Sequence, residues 1–587
     1  MLFRPLSGRI SSLTVRTAAR SIRGLNDGVT NASLARQAST ASRQSSLRVS
    51  KKVRYSAILV GLGAATWTYD HYAKADALLR SFRTLCVGVM ILADFKLNFT
   101  PEKADKIAAL HERVAQRLLW LCLTNQGLYI KLGQALGMQA AVLPKPYQEA
   151  FANIFDAAPP CTYEEIERVF IRDFGKPPQE VFDSFDRESI AAASIAQVHK
   201  AQKGDKIFAV KIQRPQIEKQ IDWDLFCYKA LLYTYEKSFD IPCAFIADYV
   251  AQQMRLETSF RTEANNSERL NEYIQADSKL KQSVYVPRVY WDYTSERVMT
   301  ADFVEGACRI SDPKTFEKWG LSRKAVTTTF LDVFSASIFK WAWVHCDPHP
   351  GNVLVRPHPS RPKKHQLVVI DHGLYIGLSD PFRQQYCELW QALLLMDTKT
   401  VENIAKSWGF AAQTDLFASA TLLQPFKMRK TKSSPVDYQD EMQQPTNTFE
   451  QQNAFRDRLK TFLQNEKLVP RELIFLTRCM RMLQATNQIL GSPVNRINLL
   501  AEYAVSGLAI KTAQSNVSLS KRFSALLQVA RFKLTLIAID LVFWASYYYQ
   551  KWIKGRDAGF EDMLEDQLKE MAQSEFGVEL NSDSFMG

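Results

Sequence analysis

The sequence predicts a helix-rich α+β fold in two lobes, carried behind an N-terminal helical extension. Three observations predict it. Apolar residues recur at three-to-four spacing over 101–144, over 222–275 and almost without interruption after Asp371, which is the period of helices packed on one face. Alternating, β-branched stretches are confined to 182–213, around FAVKIQ, and to 286–306, which reads as a strand pair with a turn at 294–296. With 587 residues, 46% hydrophobic and 23% charged, the chain can build more than one domain around a sizeable core.

From the N-terminus, residues 1–54 hold nine Arg and two Lys against Asp27 alone, so +10 of the net +13 lies there and only +3 in all the rest. Basicity this local argues against a nucleic-acid surface. Leu2, Phe3, Leu6, Ile10, Leu13 and Val15 alternate with the arginines, the composition of a mitochondrial transit peptide; a disordered basic tail is the plainer alternative. No uninterrupted apolar run follows the first charges, which argues against a secretory signal. The nine cysteines are scattered with no CxxC pair and read as free thiols.

Residues 55–70 come next as a candidate transmembrane helix: 55–69 carry no charge, Lys51, Lys52 and Arg54 flank them, and Tyr55, Trp67 and Tyr69 stand at the ends. A second apolar run, 534–549, has Asp540 in its middle, costly in lipid by about 2.5 to 3.5 kcal/mol, and reads as a helix packed on the domain or lying at a membrane surface, with spanning the lesser alternative. Between these runs the expected order is a helical extension over 71–180, a smaller lobe over 181–310 that holds the strands, and a larger helical lobe over 311–515. Residues 430–452, polar with two prolines, read as a flexible insert, and 516–587 as a helical tail.

Chemistry concentrates in HCDPHPGNVLV, 345–355, and VIDHGLY, 369–375. Phosphoryl transfer needs a cradle for the phosphates, a lysine on them, metal ligands and a group that orients the acceptor. Asp347 and Asn352 stand five apart, as in a D-x-x-x-x-N loop, with Asp347 placed to orient the attacking hydroxyl and Asn352 to hold magnesium through oxygen. Asp371 ends a short apolar strand and would present a second magnesium-binding carboxylate. FAVKIQ resembles the V-A-I-K strand, which sets Lys211 on the α and β phosphates. The plainer readings are turn-capping for Asp347 and Asn352 and a solvated strand lysine for Lys211; three motifs in the right order weigh against them. His345 and His349, set among prolines, read as hydrogen-bonding the loop. Where a glycine-rich loop would cover the phosphates stands AAASIAQVHKA, 191–201, whose alanines restrict positive φ and make a stiffer loop. An alanine-rich helix start is its plainer reading.

AAASIAQVHKA, AVKIQ, HCDPHPGN and the upstream YIKLGQ together resemble the UbiB family of atypical kinases, also called aarF-domain-containing kinases, by motif over about 118–378. The resemblance implies a helix-rich, protein-kinase-like two-lobe fold with an N-terminal helical KxGQ extension, ATP and Mg2+ as cofactors, and a role in mitochondrial lipid biology. It implies that Lys131 and Gln134, at i and i+3 of a helix, fold over the acceptor side of the cleft. It assigns Ala191, Ala192, Ala193 and Ser194 to the phosphate loop. It assigns Glu257 and Glu263 to the family's acidic motif, with Glu257 as partner of Lys211 and Ser259 where the family often has Asp. His372 replaces the Phe of D-F-G, and DHGLY resembles the mitochondrial branch that includes aarF-domain-containing kinase 1 and fungal lipid-homeostasis relatives.

The expectation is therefore a mitochondrial, inner-membrane atypical kinase or ATPase acting in coenzyme Q or phospholipid homeostasis, with membrane lipids as partners, a lipid or protein substrate and no nucleic acid. Two alternatives stand: a small-molecule phosphotransferase with a similar H-x-D-x-x-x-x-N pattern, against which the KxGQ and alanine motifs weigh, and a catalytically silent membrane scaffold, against which Lys211, Asp347, Asn352 and Asp371 weigh.

Overall fold

The computed structural model describes residues 51–138, 144–240 apart from 152–153 and 155–159, 244–411, 414–426, 468–512 and 519–553, with isolated positions within 449–460 and 561–570. The basic segment 1–50 and most of the insert expected at 430–452 lie outside the described residues. Among the described residues, those up to Thr66 fall in one unit and those from Trp67 in a second.

The uncharged run lies within helix α1 (Lys51–Lys74), which runs across the boundary between the two units. Among the described residues no helix is long and apolar enough to cross a membrane, so the spanning expectation for 55–70 is corrected. The reason is length: about fifteen uncharged residues at about 1.5 Å each reach about 22 Å, short of an about 30 Å hydrocarbon core.

After the end of α1, the second unit continues with α2 (Ala77–Asn98), α3 (Ile107–Asn125), α4 (Leu128–Met138) and α5 (Lys145–Phe151). Their apolar stripes meet in one cluster of Val87, Ile91, Leu110, Val114, Ile130 and Phe151. Gly133 allows α4 to approach this closely, since a Cβ there would lie 2.5 Å from Ile154 Cδ1. Next come α6 (Tyr163–Phe174), entered through a Thr162/Glu165 capping box, and the short α7 (Pro178–Val181).

Strands β1 (Ser184–Phe185), β2 (Ala191–Ala192), β3 (Ala196–Lys203), β4 (Lys206–Gln213) and, later, β6 (Val298–Asp302) form an antiparallel sheet in the order β1-β3-β4-β6, with β2 beside β3. The two-residue period of β4 divides its side chains between two faces. Phe208, Val210 and Ile212 face α6, where they pack on Ile166, Val169 and Phe170. Lys211 takes the opposite face. Three helices separate β4 from β6: α8 (Ile217–Phe239), α9 (Ala247–Leu256) and α10 (Phe260–Ala276), with β5 (Val284–Tyr285) after them. A buried Arg80–Asp224 ion pair of 2.5 Å fastens α2 to α8. The strand pair expected over 286–306 is only half present: β6 forms, while its partner shrinks to the single bridge Val289–Ala301. Pro287 has no N–H for a ladder, and residues 291–293 turn as a 3-10 helix.

The larger lobe holds β7 (Cys308–Arg309), α11 (Pro313–Lys318), α12 (Arg323–Phe339), β8 (Trp343–His345), β9 (Val353–His358), β10 (Arg361–Val369), β11 (Tyr375–Gly377), α13 (Asp380–Leu395), α14 (Thr398–Ser407), α15 (Thr414–Leu422), α16 (Glu472–Ile489), α17 (Arg496–Thr512) and α18 (Leu519–Ile553). From Phe330 to Phe339 every side chain of α12 is buried, each Phe contributing about 1.5–3 kcal/mol by leaving water. Gly507 lets α17 cross it, because any Cβ would collide with the Phe339 carbonyl oxygen. The run 534–549 is part of α18: Leu536 and Phe543 enter this core and Asp540 accepts from Asn495 at 2.8 Å, while Leu534, Ile537 and Leu541 are exposed. It packs on the domain, the first of the arrangements expected for it.

Candidate active site

Because Lys211 leaves β4 on the face opposite the Phe208 cluster, it meets α10. Its Nζ lies 2.6 Å from Glu263 Oε1 and 2.8 Å from Oε2. Burial opposes the lysine's charge, but Asp371 and then Glu263 outweigh it and raise its pKa, so it stays a cation. Glu263, rather than Glu257, is therefore the partner of Lys211. The sequence could not separate two glutamates six apart; α10 does, because Ser259 caps it, its Oγ accepting from Thr262 N–H at 3.2 Å, and so starts the helix between them. Ser259 is a helix cap.

Glu257 closes α9 and faces α4 instead. Lys131 Nζ lies 2.9 Å from Glu257 Oε2. Burial works against the Lys131 charge, while Glu257, Asp371 and Asp347 together raise its pKa. The KxGQ lysine thus stands among the cleft's carboxylates. Gln134, one turn on, is half-buried.

The segment after β8 is a loop whose backbone is organised by His345. Its Nδ1 accepts from Asp347 N–H at 3.0 Å and its Nε2–H donates to the Asp371 carbonyl at 2.9 Å, which ties the two motifs together. That pattern requires a neutral ring, and burial lowers the His345 pKa accordingly. His349 Nδ1 accepts from Gly351 N–H at 3.1 Å. Asn352 Nδ2 donates to the Asp347 carbonyl at 3.2 Å, which keeps the amide oxygen as its group for a cation. Asp371 stands two residues after the end of β10; burial would raise its pKa, but Lys211 and Lys131 outweigh it and hold the carboxyl well below the usual range. His372 is pinned at every edge. Its ring lies 3.2 Å from the Val369 carbonyl and 3.1 Å from Tyr375 Oη, and burial together with His345 pushes its pKa down to about 3. Asn266 Nδ2 donates to its carbonyl at 3.0 Å, so α10 braces both Lys211 and the Asp371 segment.

Residues 193–195 form the hairpin turn between β2 and β3, closed by Ala193 N–H to the Ala196 carbonyl at 2.7 Å. Ala191, Ala192 and Ala193 are exposed and Ser194 is buried. None takes positive φ, as the alanines require.

Two residues of the site escaped the sequence reading. Asn266 lies within the acidic motif but looks like any polar helix residue. Arg478, on α16, places Nη2 3.0 Å from Asp347 Oδ1. Its signal was position: it falls on the stripe of Phe475, Cys479 and Met482, which are buried, where a half-buried arginine is out of place.

The chain matches the model of the ABC1 atypical kinase-like domain over residues 153–405. It is 40% identical over 447 residues to the ABC1 family protein C10F6.14c of Schizosaccharomyces pombe, covering 76% of this chain and 81% of that one. The chain belongs to the ABC1, or UbiB, family of atypical kinase-like proteins. Within this family it is also 32% identical over 494 residues to AarF domain-containing protein kinase 1 of Gallus gallus, covering 82% of this chain and 91% of that one. A solved structure, the Rv3197–erythromycin complex from Mycobacterium tuberculosis, aligns over 66% of this chain and 97% of its own with 21% identity and a TM-score of 0.39. An ABC1 kinase-like domain implies nucleotide binding.

Proposed function

We propose that the protein is a magnesium- and ATP-dependent kinase or ATPase that acts in mitochondrial lipid homeostasis, on coenzyme Q or phospholipid metabolism. The observation that carries the reading is the pairing of Lys211 with Glu263 directly beside the ionised Asp371. A phosphate-binding lysine needs such an anchor to stay charged and extended in a buried cleft.

Among the described residues no three His, Cys, Asp or Glu side chains converge as a metal site of their own. That suits magnesium, which takes one or two carboxylates and completes its shell with phosphates and water. Asp371, ionised, and Asn352, its amide oxygen available, are the residues that would hold it; bound there, it would neutralise charge developing on the phosphates. Lys211 would hold the α and β phosphates. Asp347 would orient the acceptor hydroxyl and take its proton. The turn of Ala191, Ala192, Ala193 and Ser194 would cover the phosphates with backbone amides.

The mitochondrial part rests on the Arg-rich segment 1–54 and on kinship with AarF domain-containing protein kinase 1. The acceptor is a lipid or a protein hydroxyl. Comparison of lipids and phosphoproteins in mitochondria from cells carrying the wild type or Asp371→Asn tests the reading: a change in lipid or quinone content with the variant supports it, and identical profiles contradict it. Deleting 1–54 should leave the protein outside mitochondria, and unchanged import would contradict that address.

A further inference from the structure

The loop that carries Asp347, HCDPHPGNVLV, contains neither Lys nor Arg. Two residues after Asp347, His349 is turned back onto Gly351 N–H. The two lysines of the cleft are each held by a glutamate, Lys211 by Glu263 and Lys131 by Glu257. The cation beside Asp347 comes from elsewhere in the chain. Arg478 on α16 puts Nη2 3.0 Å from Asp347 Oδ1, with both side chains largely shielded from water. Burial opposes its charge, and Asp347 and Glu257 outweigh that and raise its pKa, so it remains charged. Its buried Nε–H has no hydrogen-bond acceptor among the described residues. Asp347 takes one donor of a guanidinium fork that has several, which leaves others for a ligand.

We propose that Arg478 is a catalytic cation supplied in cis: one edge of its guanidinium holds Asp347 while its remaining donors meet the phosphoryl group in transit. The inference rests on the reading of the cleft as a phosphoryl-transfer site. In the step, the bond from the γ phosphorus to the bridging oxygen breaks and its electron pair leaves with the nucleoside diphosphate. A bond forms from the acceptor oxygen to phosphorus, and the acceptor proton passes to Asp347. Charge on the three equatorial oxygens is what a guanidinium can stabilise, and its planar fork serves a carboxylate and a phosphoryl group at once, which an ammonium does not.

The test compares wild type, Arg478→Lys, Arg478→Met and Arg478→Gly in Mg-ATP thermal-shift titration and in ATP turnover, with and without added guanidinium. Arg478→Lys keeps the charge and guards against loss of fold. The expected result is nucleotide binding within about threefold of wild type and turnover lowered by about 100- to 1000-fold in both Lys and Met variants. Guanidinium should restore part of the turnover of Arg478→Gly and none of that of Asp347→Ala. Variants that bind and turn over as wild type does would overturn the proposal, as would a loss of turnover matched by loss of binding and not rescued. A wild type that shows neither Mg-ATP binding nor turnover would instead remove the reading of the cleft, and the proposal with it.

Discussion

Lys131 and Glu257 are joined across the cleft, Nζ to Oε2 at 2.9 Å, so the KxGQ helix is fastened to the end of α9 by an ion pair whose carboxylate is almost wholly buried. Lys131→Met leaves Glu257 beside Asp347 and Asp371 with one cation fewer. The expected outcome is a loss of about 2–4 kcal/mol in urea denaturation, most of it recovered in the double variant Lys131→Met/Glu257→Gln. Equal losses in single and double variants would show that the pair does not hold α4.

The second pair makes a sharper forecast. Glu263 is buried to 1% side-chain exposure, so Lys211→Met should cost about 3–5 kcal/mol and abolish stabilisation by ATP. Adding Glu263→Gln should return the stability and not the binding. Denaturation with and without nucleotide separates the two effects. Recovery of both would mean that Lys211 serves only the fold.

Gln134 should behave differently. It lies one turn beyond Lys131, half-buried, on the helix expected to cover the acceptor side. Gln134→Ala should leave Mg-ATP stabilisation unchanged and alter where phosphate goes, which radiolabelled ATP with and without added protein acceptors would read. A matching loss of nucleotide affinity would place Gln134 on the nucleotide instead.

His199 gives a dependence on pH. It is buried on β3, Nδ1–H donating to the Asp186 carbonyl at 2.8 Å and Nε2 accepting from Gln197 at 3.0 Å, and burial lowers its pKa from 6.5. Above 6.5 both folded and unfolded chains leave the ring neutral and its full contribution is present. As the pH falls below 6.5 the unfolded chain takes up a proton that the folded chain refuses, and stability is lost. Melting temperature should therefore fall less steeply for His199→Gln than for wild type from about pH 7 to about pH 5. Parallel slopes would exclude His199 as a source.

Much of the site was legible because its residues sit in short segments with fixed spacing. Asp347, Asn352 and Asp371 are positioned by one loop and one strand end, and the order of such motifs survives any packing of the lobes. What was not legible depended on helix ends and distant contacts. Ser259 looked like a departure from an acidic motif and is the cap that starts α10, which is why Glu263 and not Glu257 meets Lys211. Arg478 is one arginine in a helix far along the chain, and only packing of α16 brings it to Asp347. The strand expected before β6 failed at Pro287, a local signal that the alternation over 286–306 outweighed in the sequence reading.

Asp371→Asn bears most directly on the central claim that this cleft binds a nucleotide through magnesium. The substitution removes the charge that Lys211 and Lys131 hold in place while keeping the side-chain shape, and the measurement is thermal shift against ATP with and without magnesium. A folded Asp371→Asn protein that has lost the magnesium-dependent stabilisation shown by wild type is the predicted result; one stabilised by Mg-ATP as strongly as wild type would contradict the account.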